Sequence, residues 1–143
     1  MTLKKKSENM GLQFMSNIEL AIKNLERAIS RLEELVNKSI VDDIVIDATI
    51  QRFEFTFELF WKTLKKVMYS EGIETTTPKD TLSKAYENKW ITKGDVWLQM
   101  LKDRNETSHV YNEKKAREIY QHIHDYFPEL KKTFLELKIK SLS

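Results

Sequence analysis

Residues 46–67 read IDATIQRFEFTFELFWKTLKKV, and the spacing of their apolar side chains decides between helix and strand. Ile46, Ile50, Phe53, Phe57, Phe60, Leu64 and Val67 step by four and by three, the repeat of one helix face. Phe53, Phe55 and Phe57 alternate as strand residues do, but the seam outruns a strand and no turn signal interrupts it, so the strand is rejected. Phe55 and Trp61 lie outside the seam and add apolar surface, which predicts a central helix covered on more than one side. Gly72 supplies its stop, with Lys62, Lys65 and Lys66 toward the negative end of the dipole.

Outward from this helix the same periodicity recurs. Met15, Ile18, Ile22, Leu25, Ile29, Leu32 and Val36 form an earlier seam of the 3.5-residue kind, with Lys23, Glu26, Arg27, Glu33 and Glu34 on a solvated face and an end near Asn37. Residues 1–10 are polar and are expected to be a mobile tail. Downstream, Thr77-Pro78-Lys79-Asp80 orders a cap, a first-turn proline and an acid as a helix start does, and that helix should run to about Asn88. Thr92-Lys93-Gly94-Asp95 repeats a cap-like spacing and starts a fourth helix. Asn112 can cap a fifth, in which Ala116, Tyr120, Ile123 and Phe127 lead into Leu130, Phe134 and Leu137. Pro128 falls inside that seam and should kink it or begin a new helix. The expected fold is an all-α antiparallel up-and-down bundle of five or six helices.

Composition sets the outer bounds. A chain of 143 residues fits one domain, taken here as 1–143, and 32% charged residues with three Gly and two Pro favour long helices over a turn-rich β fold. No Cys is present, which excludes disulfides and thiolate metal sites. No apolar run approaches the roughly 18 residues that span a bilayer, and the basic start Met1–Lys6 has no apolar signal core behind it, so no membrane association and a cytoplasmic location are expected. A net charge of +2 is too small to mark a nucleic-acid binder in bulk, and any RNA contact must come from a local constellation.

That constellation is sought where a seam breaks. Val96, Trp97, Met100 and Leu101 recur at the spacing of one buried face, which next needs apolar residues near 104, 108 and 111 and receives Arg104, Ser108 and Tyr111. A local rule broken without a packing gain marks a candidate functional site. At about 100° per residue Arg104 and His109 stand about 140° apart, so they converge on one phosphate only if the helix ends near Ser108 or a second chain contributes. Glu54 and Glu58, one turn apart beside the aromatic seam, can orient Arg104 or His109 from behind. Blander readings exist for each: an Arg can snorkel at a helix end, a His can bond the backbone, and both carboxylates can be solvated. A metal site is not expected. Glu106-x-x-His109 has di-iron spacing but lacks a second such pair, and Glu118, His122 and His124 read as surface scatter, because histidines two apart face different ways.

Three segments together carry a family resemblance: residues 52–62, RFEFTFELFWK; Pro78-Lys79-Asp80 leading to Trp90-Ile91; and Arg104–Tyr111, which fits an Arg-x4-His-x-Tyr pattern with Asn105 directly after the Arg. From about Leu12 to Leu137 the chain resembles HEPN-domain proteins of the HepT-like, or nucleotidyltransferase substrate-binding, group, encoded beside a minimal nucleotidyltransferase. Phe60 departs from the pattern, where many relatives carry a smaller residue. The resemblance implies a homodimer and a metal-independent endoribonuclease of a toxin–antitoxin pair, with no cofactor. In it His109 acts as general acid or base, Arg104 stabilises transition-state charge, Asn105 orients one of them and Ser108 supports them. It also implies that the neighbouring nucleotidyltransferase can transfer AMP to Tyr111. The alternative it leaves open is a non-catalytic subunit presenting a nucleotide or other substrate to that enzyme.

Overall fold

The computed structural model describes residues 2–109 and 112–142, with side chains from Asn17 onward. The aromatic seam forms α2 (Asp43–Ser70), flanked in sequence by α1 (Thr2–Val36) and followed by α3 (Pro78–Glu87), α4 (Gly94–Glu106), a 3₁₀ turn (Thr107–His109) and α5 (Glu113–Leu142). The long helices α1, α2 and α5 pack on one another, and the shorter α3 and α4 close the side of α2 that they leave open. No strand occurs among the described residues. No helix there is long and apolar enough to cross a membrane. The backbone of α1 extends back to Thr2, through the polar segment expected as a tail.

Helix ends follow local chemistry. Asp42 caps α2 by accepting from the Val45 amide at 2.9 Å, and Thr77 caps α3 by accepting from the Asp80 amide at 3.1 Å. The Asn112 side chain accepts from the Lys115 amide at 2.7 Å, as its place before α5 predicts. Gly72 stops α2 at φ +84°, a conformation that side-chain-bearing residues avoid, while the Ile73 amide closes back onto the Met68 carbonyl at 2.9 Å. At α4 the expectation of a side-chain cap fails: Lys93 holds the cap position without such a bond. Gly94 has another role there, since a Cβ on it would stand 3.1 Å from the Tyr86 ring of α3.

The core is a file of aromatic rings. Phe53, Phe57 and Phe60 are fully buried along α2, with Phe53 stacked on Tyr126 of α5 at 6.1 Å and Phe60 edge-on to Trp97 of α4 at 4.6 Å. Trp61 is buried beside them as expected, but Phe55 is 61% exposed, so the outer side of α2 is left uncovered there. Along the edge of α1 and α5, Lys138 meets Glu26 at 2.6 Å and Lys131 meets Glu33 at 2.7 Å. Pro128 lies within α5 and begins no new helix, so five α-helices are present among the described residues. Its side is exposed, where the proline ring meets solvent instead of a neighbouring helix.

Phe57→Ala should therefore cost about 3–5 kcal/mol in chemical denaturation, the range for deleting a buried ring. Lys62→Ala, exposed and paired across one turn with Glu58, should cost less than about 1 kcal/mol. The reverse ranking would refute the facing of α2.

Candidate functional site

α4 carries the polar motif at its C-terminal end, and its burial is phased differently from the sequence expectation. The face that meets the bundle is Trp97, Met100, Asp103 and Thr107, so the polar residues drawn into the interior are Asp103 and Thr107, whereas Arg104 is half-buried and Ser108 exposed. Both inward polar groups are satisfied. Thr107 Oγ1 donates to the Arg104 carbonyl at 2.7 Å, closing the last α turn as it tightens into 3₁₀ winding. Asp103 Oδ2 accepts from the Tyr126 hydroxyl and lies 2.9 Å from His122 Nδ1. Since the carboxylate accepts, the imidazole donates from Nδ1, which turns Nε2 away from Asp103.

A second buried carboxylate on α5 makes the same link one step along the interface. Glu129 Oε2 accepts from the Trp97 indole at 3.1 Å and from Thr133 Oγ1 at 3.0 Å. Two carboxylates thus tie α4 to α5 through directional bonds. His122, expected as surface scatter, belongs to this link, half-exposed with one nitrogen on a buried acid. The Tyr126 hydroxyl is pushed above the ordinary tyrosine range, first by burial and then by its bond to Asp103 and that group's charge.

Arg104 leaves α4 toward α2. Its side chain is 31% exposed, and Nη2 lies 3.8 Å from Glu58 Oε2. Its Nε is buried and finds no acceptor among the described residues. Glu58 is shared: the same Oε2 accepts from the Trp61 indole at 3.1 Å, and Oε1 lies 3.3 Å from Lys62 Nζ. Of the two carboxylates expected behind the motif, Glu58 is the one beside Arg104, and Glu54 sits half-buried one turn earlier.

The remaining motif residues diverge. Asn105 is exposed and lines a shallow cavity with Lys79, Leu98, Leu101, Lys102 and Glu106, away from the Glu58 side. Glu106 reaches α5 and meets Lys115 Nζ at 3.1 Å, which raises the Lys115 pKa through that hydrogen bond and the charge of Glu106. His109 ends the 3₁₀ turn, exposed. A 3₁₀ turn advances about 120° per residue against about 100° in an α-helix, so the change of winding after Glu106 does not swing His109 to the Arg104 side. Tyr111 lies outside the described residues.

A guanidinium with one donor unpaired among the described residues can bind a phosphate and an exposed imidazole can move a proton, but on opposite sides of the segment the two act on one phosphate only across two chains. The family model described as "Nucleotidyltransferase substrate binding protein like" matches residues 20–139. A Haemophilus influenzae protein named probable ribonuclease HepT is 31% identical, the match covering 78% of this chain and 83% of that one. A Thermus thermophilus protein of known crystal structure is 35% identical and superposes with a TM-score of 0.75 over 79% of this chain and 98% of its own. A second Haemophilus influenzae structure, which revealed the fold of a substrate binding domain of a nucleotidyltransferase, is 28% identical with a TM-score of 0.63, covering 87% of this chain and 98% of its own.

The Asp103–Tyr126 bond carries a pH prediction. A tyrosine pKa raised by folding means that the folded state holds its proton more tightly, so this contribution is intact below about pH 10 and falls as pH rises, by about 1.4 kcal/mol per unit until the folded pKa is reached. Urea titrations of wild type and Tyr126→Phe should converge above pH 10 and run parallel from pH 7 to 9. A gap that stays constant to pH 11 would refute the assignment.

Proposed function

Because the chain belongs to the nucleotidyltransferase substrate binding protein-like family, we propose that it is the HepT-like toxin subunit of a toxin–antitoxin pair, a metal-independent endoribonuclease acting as a homodimer. The observation that carries this reading is Arg104: a half-buried guanidinium whose Nε has no acceptor among the described residues and whose Nη2 stands 3.8 Å from Glu58. A phosphate oxygen meeting the exposed part of this guanidinium takes a charge-assisted bond that strengthens as charge builds in the transition state. The relative named probable ribonuclease HepT supports the same chemistry.

In this mechanism a ribose 2′-hydroxyl attacks the adjacent phosphorus, and its proton passes to His109. The bond from phosphorus to the 5′ oxygen breaks, and that oxygen leaves with a proton from the imidazolium of a second copy. The products are a 2′,3′-cyclic phosphate and a 5′-hydroxyl, with no water consumed. Arg104 binds the non-bridging oxygens, Glu58 holds the guanidinium from behind, Asn105 orients either Arg104 or His109, and Ser108 supports them. Since His109 and Arg104 leave the segment on different sides, Arg104 of one copy and His109 of the other meet at one phosphate across a dimer. No step calls for a metal or a cofactor.

The partner is the nucleotidyltransferase encoded alongside, a role supported by the relative whose structure is a substrate binding domain of such an enzyme. It silences the toxin by transferring AMP from ATP: the Tyr111 hydroxyl oxygen bonds to the α-phosphorus, pyrophosphate leaves and the phenolic proton goes to solvent. The new phosphodiester is an anion on the same motif as Arg104, competing with RNA for the guanidinium. The same relative favours a second reading, in which the chain presents a nucleotide or other substrate to the nucleotidyltransferase without cutting RNA.

Expression alone should arrest growth, and His109→Ala should abolish the arrest. In vitro, Arg104→Ala and His109→Ala should each remove cleavage with helicity and dimer mass unchanged, and EDTA should have no effect. Wild-type cleavage by His109→Ala, or a requirement for divalent metal, would refute the mechanism, and growth without arrest favours the substrate-binding reading. Intact mass after incubation with the neighbouring nucleotidyltransferase and ATP should rise by AMP units in wild type and stay unchanged in Tyr111→Phe. Equal labelling of both proteins would remove Tyr111 from the site.

A further inference from the structure

The uncovered side of α2 carries Leu59, Lys62, Lys66 and Tyr69 at steps of three, four and three, which stand the four side chains in one row. Along the row runs a groove of about 760 Å³, lined from α1 by residues that include Leu20 and Ala21, from α2, and from the loop at Glu74–Thr76. Its chemistry is mixed in a specific way. Leu20 and Tyr69 are exposed by 57% and 55%, so aliphatic and flat surface is available, with the buried Trp61 in the wall behind. Lys62, Lys65 and Lys66 line the same groove with one carboxylate, Glu74, and Lys62 also meets Glu58 at 3.3 Å, so the groove keeps one ammonium more than the carboxylates beside it. Lys65 Nζ is held 3.4 Å from the Thr76 carbonyl, so the loop positions one of the three ammonium groups.

One side chain, Glu58, links Trp61 and Lys62 of the groove lining to Arg104. Glu58 receives Trp61 on the atom that faces Arg104, and it meets Lys62 on its other oxygen at 3.3 Å. From Glu58 to Tyr69 the helix rises about 16 Å. Successive phosphates of an unpaired strand stand farther apart than the axial rise of a duplex, so this length takes about two or three of them, a longer reach than the phosphates of one nucleotide have.

We propose that the groove seats a single-stranded RNA segment running on from the phosphate held at Arg104, an inference that rests on the ribonuclease reading. Lysines along the row neutralise successive phosphates, and Tyr69 offers a stacking face that accepts any base. A duplex hides its base faces and cannot use the aromatic surface, so the substrate is unpaired in this region. Cleavage next to a sequence-tolerant track predicts preference for single-stranded RNA over a particular short sequence. A nucleobase over a ring with phosphate on lysine is also how a free nucleotide would bind, and the test separates the two sources.

The experiment measures fluorescence anisotropy of a labelled 12-nucleotide single-stranded RNA on full-length His109→Ala protein, so that the probe stays intact. Adding Lys62→Ala and Lys66→Ala should weaken binding about tenfold and lower the slope of log affinity against log salt by about 1.4, two phosphate contacts at about 0.7 each. Adding Tyr69→Ala should weaken binding about fivefold or more with the slope unchanged. Unaltered affinity and slope in the lysine variant, or no binding of the strand at all, overturns the proposal. So does ATP binding that shows the lysine dependence when the strand does not. A Lys62→Glu variant whose sedimentation mass falls to a monomer would assign the groove to a second copy and overturn it as well. Failure of the ribonuclease reading looks different: wild-type protein binds the strand through these lysines and leaves it uncut.

Discussion

Phe60 and Trp97 meet edge to face at 4.6 Å, and the position of the polar motif depends on that contact. α4 is only thirteen residues long, too short to hold its own conformation in water without a partner surface. Trp97 is its anchor: the ring is buried against Phe60 and Phe57 of α2, while its indole N–H is satisfied by Glu129 of α5. An edge-to-face pair fixes the angle of the ring as well as its place, and a single indole bond to a different helix fixes the remaining rotation. Arg104 lies seven residues, about two turns, beyond Trp97, and it inherits that orientation. The large Phe60 ring is accommodated by becoming this contact.

The long helices were legible because each buries a seam whose period is visible without any partner. Every residue from Ile18 to Val36 in the α1 seam is buried, and so is the whole α2 seam from Ile46 to Val67. Caps at Asp42, Thr77 and Asn112 rest on bonds spanning three residues, which sequence order alone determines; of these, Thr77 and Asn112 were anticipated. The fourth helix was phased wrongly for a physical reason. An apolar count runs through Trp97 and Met100 and then passes over Asp103 and Thr107, since polar side chains do not register as core, and the face is displaced by one residue toward Arg104 and Ser108. A spacing of three from Met100 to Asp103 and four to Thr107 would have marked them had polar residues been allowed at seam positions.

The site was legible only in part for a related reason. Arg104 beside Glu58 joins residues 46 apart in sequence, and His122 on Asp103 joins residues nineteen apart, relations that no local periodicity encodes. The family resemblance could carry Arg104 and His109 as a pattern but had nothing to say of Asp103, whose role is to receive two donors from α5. His122 and His124 do point to different faces as expected, yet one of the two faces is occupied by a buried acid. Phe55 shows the opposite error: hydrophobicity was read as burial, whereas its ring stands on the outer side of α2, where a single exposed apolar side chain is ordinary.

Glu58 shows how the fold and the chemistry constrain each other. A carboxylate at 3.8 Å from a guanidinium is too far for a strong hydrogen bond, yet near enough to hold the charge in place. Were the pair closer and dry, Arg104 would spend its donors on Glu58, and a phosphate would have to displace a bidentate partner to enter. The Trp61 indole and Lys62 prevent this by drawing the two carboxylate oxygens toward α2, one bond each. Glu58 therefore sets the resting position of Arg104 without saturating it, and Nε is left buried with no acceptor among the described residues.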